Sequence, residues 1–442
     1  MACFVVFLIG RAVAASNFGP RELVILVFAI IGVGMFMAPT YAVLRGGFFL
    51  LILTFGLGWR TIYLTPVLTV HPIEVIAYAV LGLRILQTSL RKTPLDLRIP
   101  TPILLLIGLV VAGTVVALLG SRRLDLVVQE AKNLLIIVPI YFLVQWFIQN
   151  RSDWEFTVNL LIFVITYVSL LGLLDFFAPG LSRAIANDPA TPTYYDARSL
   201  IGVGFIRVGF IFYGNFLAGF FIFTFFPFTV HHFVHALGRS LWRTGFFIIL
   251  MTIQLAGIYL SGYRGLWYAS LVFVIVYTLL RRRATVLWLY AVITYPLAPI
   301  TFRYRFLSLI DTTWADSSQY SRLARVQNAV SLMKQAPLFG VGWGGSGYVH
   351  SDLIQLGANL GIPGLLAFIF WWATLVAMPW HLIRRRDWVG NYAAVLFASM
   401  IALLVVLAGE GLFVFVQTIA PIWFLFVMNY KLYILAQHAD ET

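Results

Sequence analysis

The sequence predicts an all-α polytopic membrane protein, a single transmembrane domain over residues 1–442 with about twelve crossings. Three observations predict it. Hydrophobic residues make up 61% of the chain and charged residues 11%, where soluble proteins carry about a quarter charged residues. The apolar residues gather in stretches close to the ~20 residues that a helix needs to cross a bilayer. The stretches between them leave no room for a separate soluble domain of ordinary size, about 100 residues. Together these exclude a soluble globular enzyme, a disordered chain and a fibrous protein.

Apolar segments fall at 2–16, 22–39, 46–58, 72–90, 101–119, 129–148, 154–177, 208–228, 245–262, 265–280, 284–301, 358–380, 388–408 and 411–430. Segments 2–16 and 46–58 are short for a full span, so twelve crossings are expected from fourteen segments, with 11 to 14 compatible with the pattern. Residues Met1 to Gly10 are apolar without a basic start or a cleavage site, and read as a span and not as a signal peptide. Gly34, Gly113 and Pro139 do not disqualify their segments, because membrane helices tolerate both residue types.

The basic residues set the orientation. Arg281–Arg283, Arg384–Arg386, Arg91 with Lys92 and Arg98, and Arg239 with Arg243 occupy four short connections. Placing all four in the cytoplasm agrees with the number of segments between them, and puts both termini there too. Arg122 and Arg123 then fall on the outer side, against the rule. A formal net charge of +13 invites a nucleic-acid partner, but cytoplasmic loops collect Lys and Arg in membrane proteins, and no nucleic acid is expected. Cys3 is the sole cysteine, which excludes an intramolecular disulfide and a cysteine-based metal site.

Two longer polar segments face outward in this arrangement, a smaller loop at 178–206 and a large one at 302–357. Function tends to sit on loops held by a rigid scaffold. The large loop carries Arg303, Arg305, Arg322, Arg325 and Lys334 against Asp311, Asp316 and Asp352. It is net positive where positive charge is disfavoured. Two readings stand. The arginines bind an anionic ligand, for which the planar guanidinium supplies paired charge-assisted hydrogen bonds. Alternatively they pair with the three acids or touch lipid headgroups.

A helical pattern over Arg322–Gln335 leads into the glycine-rich stretch Pro337-Leu-Phe-Gly-Val-Gly-Trp-Gly-Gly345. Glycines permit tight turns and close approach to a ligand, although the Lys-Ser/Thr ending of a phosphate-binding P-loop is missing. His350 follows, just before the next span. Arg264 lies in the tight turn Ser261-Gly-Tyr-Arg-Gly265, and Arg207 opens the segment that reaches Asn215. Ionisable residues at membrane depth are functional candidates, the bland alternative being snorkelling to the headgroups. Glu410, between the last two segments, is either a counter-ion to one of these arginines or a solvated turn residue.

Three of these stretches resemble the O-antigen ligase and Wzy-type polymerase superfamily of bacterial membrane glycosyltransferases. Arg207 with Gly209 and Gly214-Asn215 is similar to that family's Arg-x-x-Gly…Pro-Asn pattern at a span start. Tyr263-Arg264-Gly265 is similar to its Ser-Arg-Gly turn. Arg322, followed by Pro337-Leu-Phe-Gly-Val-Gly342 and by His350…Leu353…Gly361-Ile-Pro-Gly364, resembles its long loop motif. Gly214 and Tyr263 depart from the family's Pro and Ser, and neither departure removes a charge. The resemblance covers about 207–364; the first 200 residues match it only in being a bundle of spans.

The resemblance implies a GT-C-like fold with a periplasmic cavity capped by the large loop, in the bacterial inner membrane. It implies transfer of a glycan from an undecaprenyl diphosphate carrier, either to lipid A core by a ligase or to a growing glycan by a polymerase. Arg207, Arg264 and Arg322 would meet the diphosphate, where fixed positive charge stabilises a developing negative one. His350 would act as base on the acceptor hydroxyl or as a diphosphate ligand, both roles being open. Asn215, Tyr263 and Glu410 would support them. No cofactor and no metal is expected, since Asp-x-Asp occurs nowhere in the chain and the outer acids stand isolated beside more arginines. A lipid-linked glycan transporter is the rival from another class, and predicts paired halves with broken helices.

Overall fold

The computed structural model describes residues 40–56, 62–63, 69–90, 97–120, 122–177, 215–297, 317–413 and 416–441. The expected segments 2–16 and 22–39, the loop 178–206 and residues 302–316 of the large loop lie outside them. The described chain is almost wholly helical. In order come α1 Thr40–Gly56, α2 Pro72–Leu90, α3 Thr101–Leu119, α4 Leu124–Leu135, α5 Ile137–Phe147, α6 Arg151–Phe177 and α7 Asn215–Ala236. After them come α8 Leu241–Leu260, α9 Arg264–Arg281, α10 Ala284–Leu297, α11 Ser317–Gln335, α12 Asp352–Leu382, α13 Trp388–Gly409 and α14 Val416–Glu441. A two-residue antiparallel pairing, β1 Ile62–Tyr63 with β2 Thr69–Val70, lies between α1 and α2.

Among the described residues nine helical segments are long and apolar enough to cross a membrane, α4 and α5 together forming one of them. Three shorter apolar helices accompany them at Leu44–Phe55, Gly265–Arg281 and Ala284–Tyr295. The protein is therefore polytopic, as its composition predicts. Several helix boundaries differ from the hydropathy pattern, among them α1, α7 and α14, and two of the differences bear on the site. The segment expected at 129–148 begins at Leu124 and breaks at Ile136, because its first half is a polar-faced helix that the apolar count passes over. The segment expected at 358–380 begins at Asp352, where the Ser351 hydroxyl caps the helix by accepting the Ile354 amide at 3.4 Å.

The bundle centres on α7 and α14. Phe220, Phe221, Phe223, Phe225, Phe226 and Phe228 of α7 are all buried, and Phe225 meets Phe424 of α14 edge-on at 6.1 Å. Phe48 and Phe55 of α1 reach the same Phe424 ring at 5.6 and 5.5 Å. Lipid tails are as apolar as these side chains, so ring packing and close fit, not escape from water, hold membrane helices together. The outward faces read accordingly: α3 exposes Leu104, Leu105, Val111, Val115 and Leu118.

The helices run between two unlike ends. Arg281–Arg283 closes α9 and Arg384–Arg386 precedes α13, and the Arg281 guanidinium donates to the Gly390 carbonyl at 2.5 Å, tying these two basic connections together. The opposite end carries the start of α9, the start of α12 and the close of α13. Arg123 lies at that opposite end and is paired with Asp125 at 2.7 Å. Its charge is met locally by that carboxylate.

Candidate functional site

Three elements meet at the end away from the basic loops. The polar helix α11 carries Arg322. The segment between α11 and α12 carries His350. Glu410 stands one residue past the end of α13. The Glu410 carboxylate joins them: Oε1 accepts from Arg322 Nη1 at 3.0 Å, and Oε2 lies 3.5 Å from His350 Nδ1. Its backbone is fixed as well, with the amide donating to the Val406 carbonyl at 2.8 Å and the carbonyl accepting from the Asp352 amide at 3.3 Å. Glu410 is thus a buried counter-ion and not a solvated turn residue.

Tyr348 completes the cluster. Its hydroxyl lies 3.3 Å from His350 Nδ1, and the two rings meet edge-to-face at 4.6 Å. The Arg325 guanidinium sits over the Tyr348 ring at 5.6 Å. Burial first, and then the Glu410 and Tyr263 side chains, push the Tyr348 phenol above its ordinary range, so it stays a neutral hydrogen-bonding group. Tyr263 is therefore close enough to act on the cluster. Gly411 allows the α13 exit to come this near, for a Cβ there would lie 2.5 Å from the Val349 carbonyl oxygen.

The turn before α9 reaches the same end. Gly262 has φ +69°, and the buried Ser261 packs on Gly219 of α7, where a Cβ would meet the Ser261 hydroxyl at 2.5 Å. The first turn of α7, which starts at Asn215, and the turn leading into Arg264 are thereby held together. Tyr263 precedes Arg264, the first residue of α9, and α9 packs along α13 toward Glu410. Arg207 lies outside the described residues. The structure thus brings together Arg322, His350 and Glu410, with Tyr263 within electrostatic reach of Tyr348, and sets the helix starts at Asn215 and Arg264 at the same end.

The glycine-rich stretch is a structural plug. Gly340, Gly342 and Gly344 all have positive φ, between +66° and +77°. Val341 and Gly342 donate their amides to the Ala358 and Asn359 carbonyls, each at 2.9 Å, and Trp343 donates its ring N–H to the Val110 carbonyl at 2.9 Å. A Cβ on Gly342 would lie 2.3 Å from the Ala117 amide nitrogen of α3. The close approach that these glycines permit is to neighbouring helices: Gly340 to α12, Gly342 to α3 and Gly344 to α4. Gly361 continues the pattern inside α12: with φ +71° and ψ −177° it breaks the helix, and Ile362 donates to the Pro337 carbonyl at 2.8 Å.

Among the described residues, Asp352 pairs with backbone amides and with no arginine. Its carboxylate accepts the Leu412 and Phe413 amides at 2.8 and 3.1 Å, which anchors the turn after Glu410. Sequence reasoning passed over Tyr348 and Glu130. The Tyr-x-His spacing at 348–350 is a signal that could have found the first. Glu130 sits in a segment read as a plain span, yet its carboxylate accepts the Gly344 amide at 2.9 Å.

Fold and cluster define a polytopic membrane protein with an arginine–carboxylate–imidazole centre at one end of its bundle. A family model described as O-antigen ligase (Wzy_C) matches residues 246–369, in agreement with the O-antigen ligase and Wzy superfamily that the motifs resemble. The matched stretch holds the Arg264 turn, Arg322, the glycine-rich plug and His350; Glu410 and Glu130 lie beyond it. No curated protein matches the chain.

Proposed function

We propose that this protein transfers a glycan from a polyprenyl diphosphate carrier, undecaprenyl diphosphate in a bacterial inner membrane, to a lipid A core acceptor on the periplasmic face. The observation that carries the reading is the Glu410 carboxylate held between Arg322 and His350, inside and beside a segment of O-antigen ligase type. With Nδ1 turned to the Glu410 carboxylate and the Tyr348 hydroxyl, Nε2 is the ring nitrogen left for substrate. A carboxylate on Nδ1 favours the tautomer whose Nε2 accepts a proton, the arrangement of a general base. His350 would take the acceptor hydroxyl's proton as that oxygen attacks the anomeric carbon. The bond to the carrier diphosphate breaks, and its electrons pass to the phosphate oxygen. Arg207, Arg264 and Arg322 would meet the negative charge released there. Asn215 and Tyr263 would support the ends of the helices that present them. The arginines would supply the positive charge that a metal ion supplies in other transferases, so the reaction would need no divalent cation.

The orientation follows from the same logic. The basic loops at Arg281–Arg283 and Arg384–Arg386 would face the cytoplasm with both termini, and the cluster would face the periplasm. The assay uses purified protein, an undecaprenyl diphosphate-linked oligosaccharide and EDTA, with lipid A core in one reaction and donor alone in the other. Product that requires lipid A core is expected. Longer glycans from donor alone would make the protein a polymerase. No product in either reaction, or full activity in His350→Ala, would overturn the reading.

A further inference from the structure

The segment that carries His350 is held from inside the bundle by residues far from it in sequence. Glu130 projects from α4, which breaks off at Ile136 inside its span. Its Oε2 accepts two hydrogen bonds, from the Gly344 amide at 2.9 Å and from the Asn359 side-chain Nδ2 at 3.4 Å. Asn359 is fully buried, and its Oδ1 accepts the Ser346 amide at 3.2 Å. The Gln355 side-chain Oε1 accepts the Val349 amide at 3.4 Å, and Asp352 binds the turn after Glu410. The chain from 344 to 352 is thus tied at 344, 346, 349 and 352, and His350 lies between the last two. Glu130 and Asp352 also line one small cavity with Trp343, Gln355 and Phe413, so the α4 arm and the His350 segment share a wall. Gly344 leaves no room to slide, since a Cβ there would lie 2.9 Å from Leu126 Cβ of α4.

We propose that Glu130 is a positioning residue: through Gly344 and Asn359 it sets where His350 stands relative to Glu410 and Arg322. The inference rests on the transfer reading above. It assigns to the N-terminal third of the chain a part of the site that the matched domain does not contain. The role asks for an acceptor oxygen at a given reach, not for a charge. A glutamine supplies the same oxygen at the same distance. An aspartate keeps the charge and falls one methylene short.

The test compares Glu130→Gln, Glu130→Asp and Glu130→Leu in the full-length protein, by donor kinetics and by hydrogen–deuterium exchange of residues 340–350. Glu130→Gln should stay within about three-fold of wild type. Glu130→Asp and Glu130→Leu should lower kcat roughly ten- to a hundred-fold with donor KM little changed, the signature of a displaced reacting group. Exchange over 340–350 should rise about ten-fold in those two variants alone. An active aspartate beside an inactive glutamine would overturn the proposal, since charge would then be the requirement. Unchanged exchange in Glu130→Leu would overturn it as well. The exchange pattern is read without turnover, so a wild-type protein that transfers nothing counts against the transfer reading alone.

Discussion

Glu410 and Arg322 are 88 residues apart in the chain and 3.0 Å apart in the structure. The second oxygen of the same carboxylate faces His350 at 3.5 Å. One buried acid therefore answers for two groups on two different elements, and its loss would leave both without their partner. Glu410→Gln keeps the shape and one acceptor oxygen but removes the charge that orients the imidazole. Transfer should fall by about two to four orders of magnitude, while the protein still extracts as a folded particle. Steady-state rates on the purified variant check this, and a rate within about three-fold of wild type would free His350 from any dependence on Glu410.

Arg264 opens α9 at the site end of the bundle. If its guanidinium grips a diphosphate by its fork, a lysine cannot replace it, since an ammonium keeps the charge and loses the paired hydrogen bonds. Arg264→Lys should cost at least roughly ten-fold in transfer, with insertion unchanged. Wild-type rates in this variant would reduce Arg264 to an interfacial anchor.

Two glycines of one loop should behave differently. Gly342 has φ +77° and faces the backbone of Ala117, so an alanine there meets strain and a collision that no side-chain motion relieves. Gly347 has φ +66° with open space around its would-be Cβ. Gly342→Ala should destabilise by at least about 2–3 kcal/mol, and Gly347→Ala by about 1 kcal/mol, the left-handed backbone cost alone. Thermal unfolding in detergent measures the difference, and equal melting temperatures would remove the plug from the account of stability.

Much of this was legible in the sequence because lipid imposes it. Spans such as 101–119 and 388–408 declare themselves by apolar length, and charged residues on outer connections stand out against them. Arg322, His350 and Glu410 were each visible as polar residues out of place. Their partnership was not, for it depends on how α11 and α13 each pack on α12, and no local spacing encodes a contact across 88 residues. The glycine-rich stretch was misleading in a physical way: positive-φ glycines serve close approach to a ligand or to a neighbouring helix equally well, and only the positions of Ala117 and Asn359 decide. Glu130 stayed hidden because apolar length dominates a span and obscures a single polar face within it.

Tyr348 gives a prediction in pH. Its phenol is raised above the ordinary value of 10.0, first by burial and then by the Glu410 carboxylate. Folding therefore favours the protonated form. Below pH ~10 the phenol is protonated in both folded and unfolded chains, and its contribution to stability is fully present. Above that, the unfolded chain releases the proton while the folded one holds it, and the contribution is lost as pH rises toward the folded value. Tyr348→Phe removes this one source of alkaline destabilisation while keeping the ring under Arg325 and against His350. Melting temperature followed from pH 8 to pH 11 should fall less steeply in Tyr348→Phe than in wild type, with the curves separating only above pH ~10. Parallel curves across the whole range would mean that the phenol titrates alike in both states, and that the Glu410 carboxylate does not act on it.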